Sequence, residues 1–223
     1  MSTTVTTQNQ SGFSIVELTI AMTLTLIIAG ASATLLSQSF HMRSREDKRS
    51  DAIADAQRAL NIVSREIANS GFGLMDNGIV PGDTNSNSIR IRANLNAYTL
   101  EPGSGGVTDP DEDIKYLLYI DEAENRRYLV RLDAEIAKVD RTRATTVLAN
   151  RLDFFNLDFF DGNGAPIAAN TAAVREAWRV RITVGVVLPE EGTFGTAGYQ
   201  GTEPGSVQLV SDVVLRNASQ ITY

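Results

Sequence analysis

Cysteine is absent from this 223-residue chain, which removes disulfide frameworks, thiolate metal sites and cysteine nucleophiles together. Histidine occurs once, at His41. A histidine-centred triad therefore has one candidate base, and its place at the edge of an apolar span gives it the plainer role of an interfacial side chain. No basic run occurs, and the formal charge is −7. Nucleic-acid affinity comes largely from clustered Lys and Arg, so no nucleic-acid partner is expected. The nucleophile elbow G-x-S-x-G, the Walker A loop and the H-E-x-x-H zinc pattern are missing. The sequence is accordingly read as that of a non-enzyme without a cofactor. Lys and Arg are also missing from the first twelve residues, which argues against a secretory signal peptide with its basic start and downstream cleavage site.

What is present begins at Gly12. From Leu18 to Leu36 there is no charge and no proline, and the uncharged stretch continues to Met42. A helix rising about 1.5 Å per residue over that length approaches the roughly 30 Å hydrocarbon core of a bilayer. Thr19, Thr23, Thr25, Ser32 and Thr34 dilute its apolarity. Hydroxyls can bond back to their own helix, and small residues let helices approach closely, so the span suits both lipid and helical neighbours. Arg43, Arg45, Lys48 and Arg49 follow it, against a simple positive-inside count. Glu17 sits at its other border, where a carboxylate either snorkels to the interface or has a dedicated partner.

The string Gly12-Phe13-Ser14-Ile15-Val16-Glu17 resembles the class III signal of type IV prepilins and type II secretion pseudopilins, a GF(S/T)xxE element followed by an apolar helix. The resemblance implies that a prepilin peptidase cuts between Gly12 and Phe13 and N-methylates the new terminal Phe13. It further implies that Glu17 pairs with the terminal ammonium of a neighbouring subunit in the filament. Such a pair in low dielectric is favoured because either charge alone would be worse. One departure is that prepilin leaders usually contain a Lys or Arg.

Downstream, Ile53, Ala56, Leu60, Val63 and Ile67 recur at three- and four-residue steps, the stripe of an amphipathic helix. With no proline in residues 13–80, one helix is expected over residues 14–69, with Gly30 a candidate bend and Ser70-Gly71-Phe72-Gly73 its glycine cap. Residues 59–73 are similar to the helix end of PilW-type minor pilins and J-type minor pseudopilins. After Gly73 the period changes to two. Strands are expected at 114–120, 127–132, 152–160, 178–188 and 207–215, bounded by turns such as Asp161-Gly162-Asn163-Gly164. The fold class is therefore α+β, a long N-terminal helix packed on an antiparallel β-sheet head, which the resemblance identifies with the type IV pilin fold. The organisation reads as a leader over 1–12, a transmembrane or filament-core helix over 13–42, an amphipathic helix half over 43–73 and a β-rich head over 74–223. Long polar connections at 76–87, 101–113 and 190–205, the last with Phe194 and Tyr199 among its glycines, have the length of functional or mobile loops.

Two acidic patterns invite a calcium reading. Asp109, Asp111 and Asp113 open with EF-hand spacing, but Ile114 stands where that loop needs Gly and Ile120 where it needs a bidentate Glu. Asp161 and Asn163 offer a non-standard calcium loop, set against a plain solvated turn. Phe154, Phe155, Phe159, Phe160 and Trp178 must divide between the two faces of their strands. One face is core, and pairs such as Phe155 and Phe160 are candidate subunit contacts. The resemblance implies a minor pilin that helps initiate or tune a filament. Its partners would be other pilin subunits, the prepilin peptidase, and the inner membrane with its assembly machinery, with the head in the periplasm before incorporation. A J-type pseudopilin and a membrane-tethered adhesin or sensor are the alternatives.

Overall fold

Helix α1 spans Ile15–Ala68 without interruption, so Gly30 produces no break. The computed structural model describes residues 12, 14–97, 106–107, 109–124, 126–188 and 206–218. The 190–205 loop with Phe194 and Tyr199, most of the leader, and part of the 101–113 connection lie outside the described residues. Glu17 in the first turn of α1 and Arg65 in its last complement the helix macrodipole. The C-terminal end is fixed by Gly71, whose φ of +75° is left-handed and whose Cβ, were there one, would lie 2.3 Å from the Asp76 carbonyl oxygen. The Gly71 N–H donates to the Arg92 carbonyl at 2.8 Å rather than back into the helix. The cap is thus also the first tie between α1 and the head.

The chain divides into two compact units, Met1–Asp47 and Lys48–Tyr223. In the second, Ala52, Ala56, Ala59, Leu60, Val63 and Ile67 are buried. The stripe is the expected one, shifted toward Ala52 and Ala59, with Ile53 left half-buried at its edge. Alanines on this face allow backbone to approach closely, while Leu60, Val63 and Ile67 supply volume.

The head differs from the single five-stranded sheet expected above. It holds two four-stranded sheets with antiparallel pairings throughout, one in the order β1-β2-β3-β4 and one in the order β6-β5-β7-β8. The first comprises Ser88–Arg92, Asp113–Asp121, Arg126–Asp133 and Thr145–Ala149, numbered β1 to β4. The second comprises β5 (Leu152–Phe160), β6 (Pro166–Ile167), β7 (Arg179–Val187) and β8 (Ser206–Val214). The five expected strands are present as β2, β3, β5, β7 and β8. The additional ones are short: β1 is a five-residue alternation, β4 carries mostly exposed side chains, and β6 has two residues.

Period-two burial is clear on both inner faces. In the first sheet Ile89 lies opposite Tyr116 and Ile91 opposite Ile114, all buried. In the second, Phe155–Val184, Leu157–Ile182 and Phe159–Val180 are directly opposed pairs, each residue 2% exposed or less. These faces share one hydrophobic cluster with Val63 and Ile67 of α1. Phe155 is therefore a core residue, and its expected role as a subunit contact is overturned by the pleat, which sends residues 155, 157 and 159 inward together. Phe160 faces the other way, under the Arg179 and Arg181 guanidinium groups at 4.4 and 5.5 Å from its ring centre.

Candidate functional site

Ser14 precedes α1 in non-helical conformation, and its hydroxyl accepts the Val16 N–H at 3.3 Å. Its carbonyl accepts the Leu18 N–H at 3.1 Å, the first i to i−4 bond of the helix. Ser14 is therefore the N-cap and Glu17 the third helical residue, the S-x-x-E arrangement of a capping box. Gly12 is exposed and outside the helix. Phe13 lies outside the described residues.

Beyond the cap the first half of α1 is an apolar rod with no protein cover. Ile15, Val16, Leu26, Ile27, Leu35 and Met42 are all about two-thirds exposed or more. This helix is long and apolar enough to cross a membrane. Five of its hydroxyls do not spoil that property, because they are satisfied within the helix. Thr19 donates to the Val16 carbonyl, Thr23 to Ile20, Thr25 to Ala21, Ser32 to Ile28 and Thr34 to Ala31, at 2.7–2.9 Å. Between Gly12 and Met42 the only ionisable side chains are Glu17 and His41. His41 is exposed on the same helix.

A second concentration of polar chemistry lies in the head, and sequence reading did not foresee it. Glu66, one step from the buried stripe of α1, accepts the hydroxyl of the fully buried Tyr116 on β2. The same carboxylate oxygen takes the Arg131 Nε–H at 3.2 Å, and Arg131 reaches Asp111 at 2.6 Å. Burial and then the Glu66 carboxylate push the Tyr116 phenol above its ordinary range. Nearby Asp113 is buried, which alone would raise its pKa, yet hydrogen bonds from Arg90 at 2.6 and 2.9 Å and from Arg92 at 2.9 Å hold it below the usual carboxylate range. Arg90 also reaches Asp83 at 2.6 Å, and Lys115 reaches the same carboxylate at 3.0 Å. Asp113 therefore belongs to an ion-pair lattice on the sheet rather than to a calcium loop. Glu66, Arg92, Glu112 and Arg131 line a cavity of about 270 Å³ with Ile91 and Ile114. The chemistry of this region is strut-like. The one sequence signal was Arg131 alternating with apolar residues on β3, where an inward Arg demands a partner.

At the β5–β6 turn, Asp161 accepts the backbone N–H groups of Asn163 at 2.9 Å and Ala165 at 2.8 Å through one carboxylate oxygen. Asp161 thus closes an Asx turn, with Gly164 at φ +82°. Among the described residues no group of three His, Cys, Asp or Glu side chains is arranged to hold a metal. The strands bring Asp161 and Asn163 together only as members of this hairpin.

No curated protein matches the chain. Residues 7–33, which contain the capped start of α1 and most of its exposed apolar half, match a family model described as the prokaryotic N-terminal methylation motif. That segment carries the class III signal of type IV pilins, and the α+β architecture behind it is consistent with the type IV pilin fold.

Proposed function

We propose that the chain is a minor pilin of a type IV pilus, cut by a prepilin peptidase between Gly12 and Phe13 and N-methylated at Phe13. Before assembly it is a single-pass inner-membrane protein with its head in the periplasm. In the filament Glu17 pairs with the terminal ammonium of a neighbouring subunit, and the head helps initiate or tune assembly alongside other pilin subunits. The observation that carries this reading is the matched motif at the start of α1, with Glu17 as the one carboxylate of its exposed apolar half up to Met42. Burying Glu17 among apolar helices without a cation would be strongly unfavourable, and the new ammonium has the same need. Head-to-tail packing of such helices generates an open helical filament rather than a closed dimer.

Mass spectrometry of the protein purified from its native membrane tests this. The expected chain begins at an N-methylated Phe13. A native chain that retains residues 1–12, or one cut beyond residue 30, removes the reading. The similarity of residues 59–73 extends to J-type minor pseudopilins, and gene deletion separates the two: loss of surface filaments marks the pilin, and loss of protein secretion with filaments intact marks the pseudopilin.

A further inference from the structure

A second cavity of the head, about 280 Å³ in volume, shares Arg92 with the one beside Glu66 but differs from it in charge. Its wall is the loop that follows α1, with Leu74, Met75, Asp76 and Val80, and Arg175 lines it as well. Three segments meet here, and hydrogen bonds fix them to one another. The Gly78 carbonyl accepts the Arg92 N–H at 2.8 Å, which joins the loop to β1. Buried Asn77 joins the same loop to the 3-10 turn Ala172–Glu176. Its amide donates to the Val174 carbonyl at 2.9 Å and to the Ala177 carbonyl at 3.1 Å, and its side-chain oxygen accepts the Ile79 N–H at 3.1 Å. Arg175 stands between the two residues tethered in this way. The two guanidinium groups are therefore carried to one cavity by a held scaffold.

The cavity beside Glu66 is closed electrostatically, because Arg131 has both Glu66 and Asp111. This one is not. Among the described residues Arg175 makes no hydrogen bond or ion pair, and Arg92 engages only its Nε, with Asp113 at 2.9 Å. Asp76 does not answer them, since its carboxylate accepts the Gly78 N–H at 3.0 Å and closes its own turn. Behind the cavity Arg90, Arg92 and Lys115 share only two carboxylates, Asp83 and Asp113. A local surplus of positive charge thus stands in a chain of formal charge −7. Guanidinium N–H groups in a fork match a carboxylate in geometry as well as in charge. The rest of the wall is apolar, and Met75 is 96% exposed with nothing packed over it. The volume falls just below the roughly 300–1,000 Å³ of sites for drug-sized ligands, which suits a group the size of one amino-acid residue.

We propose that this cavity receives the chain end of a partner protein, with the terminal carboxylate on Arg92 and Arg175 and an apolar last side chain against Leu74, Met75 and Val80. In a terminal residue the carboxylate and the side chain leave the same carbon, so both fit one residue-sized cavity. An internal Asp or Glu brings chain on both sides and no apolar group so close to its charge.

The test uses the full-length chain in detergent micelles, isotope-labelled at its methionine methyl groups. Met75 reports on the cavity, and Met22 and Met42 in the apolar half of α1 are internal controls. The probe is N-acetyl-alanyl-leucine, compared with its C-terminal amide and with inorganic phosphate. The acid should shift the Met75 resonance saturably, and the amide should bind about tenfold more weakly for want of the charged acceptor. Arg175→Gln should weaken binding of the acid about tenfold with an unchanged melting temperature, since the side chain is exposed. Arg58→Gln, which removes the same charge from an exposed site on α1, should bind like the parent. Absence of a saturable Met75 shift overturns the inference, and so does equal binding of acid and amide or parent-like binding by Arg175→Gln. Phosphate that binds as tightly as the peptide acid overturns it too, because the apolar wall would then contribute nothing.

Discussion

Substituting Glu66→Ala in the head offers the sharpest measure of what fastens α1 to the first sheet. The change deletes the acceptor of the Tyr116 hydroxyl, which has no exposed surface. It also deletes one of the two carboxylates that hold Arg131. An unsatisfied buried hydroxyl costs about 1–3 kcal/mol. Arg131 keeps Asp111 at 2.6 Å, so no uncompensated buried cation results, and the ion-pair loss adds only about 0.5–1 kcal/mol at this partly exposed position. The expected total is about 2–3 kcal/mol, which lowers the melting temperature by about 5–10 °C for a domain of this size. Tyr116→Phe alone leaves Glu66 still partnered by Arg131 and should cost about 1 kcal/mol. The two changes share one bond, so the double variant should cost about 1 kcal/mol less than the sum of the singles. Urea denaturation followed by circular dichroism on a head fragment beginning at Lys48 measures all three. Strict additivity would refute the reasoning, because it would mean that Tyr116 and Glu66 contribute independently.

The fragment itself is a prediction: starting at Lys48, where the second compact unit begins, the protein should be soluble, monomeric and cooperative in unfolding, and aggregation would show that the head needs the anchor. Asp113 has a folded pKa lowered by Arg90 and Arg92, so its contribution is present above the unfolded value of about 3.9 and is lost as pH falls through the folded one. Acid titration of Asp113→Asn should therefore show a smaller loss of stability below about pH 4 than the parent, and parallel curves would contradict the assignment. Glu17→Ala should still insert and be cut, yet enter filaments poorly, as read by the pilus fraction on immunoblots; parent-like incorporation across salt and pH would reduce Glu17 to an interfacial side chain.

The long helix was legible because its signals are local: absence of proline, a single period and a glycine stop, which together placed its ends within one residue of Ile15–Ala68. The five strands found in advance are those with long alternation. β1 alternates as Ser-Ile-Arg-Ile-Arg, but it is brief and follows a polar loop. β4 has three successive exposed residues, so its place comes from pairing with β3 rather than from its own pattern. Division into two sheets is a non-local fact. It arises where the chain leaves β4 and Arg151, at φ +59°, redirects it into β5, while Arg127 of β3 bonds to Asp153 of β5 across the junction. Nothing in residues 126–153 alone specifies that join. The amino-terminal site was the reverse case. Ser14 and Glu17 owe their arrangement to one helical turn, with Gly12 outside it, so sequence order carried the spacing of cap and carboxylate.

Two environments make opposing demands on the first unit, and its composition answers both. As a monomer it exposes Ile15, Val16, Leu26, Ile27, Ile28 and Leu35, a continuous apolar surface far beyond what soluble proteins leave uncovered. Lipid covers such a surface, and so do neighbouring copies of a similar helix. A wholly aliphatic rod would favour lipid without limit, because nothing would be gained by leaving it. The self-bonded hydroxyls of Thr19, Thr23, Thr25, Ser32 and Thr34 weaken that preference without leaving an unsatisfied group, and their small size permits close helix contacts. Glu17 then supplies the directional term. At the membrane border it can be hydrated, whereas among packed helices it is tolerable only opposite a cation. Removal of residues 1–12 would create that cation at Phe13. On the proposed reading maturation and assembly would be coupled through charge: an uncut chain would bring Glu17 without an ammonium, and its entry into a helix core would carry the cost of a lone buried carboxylate.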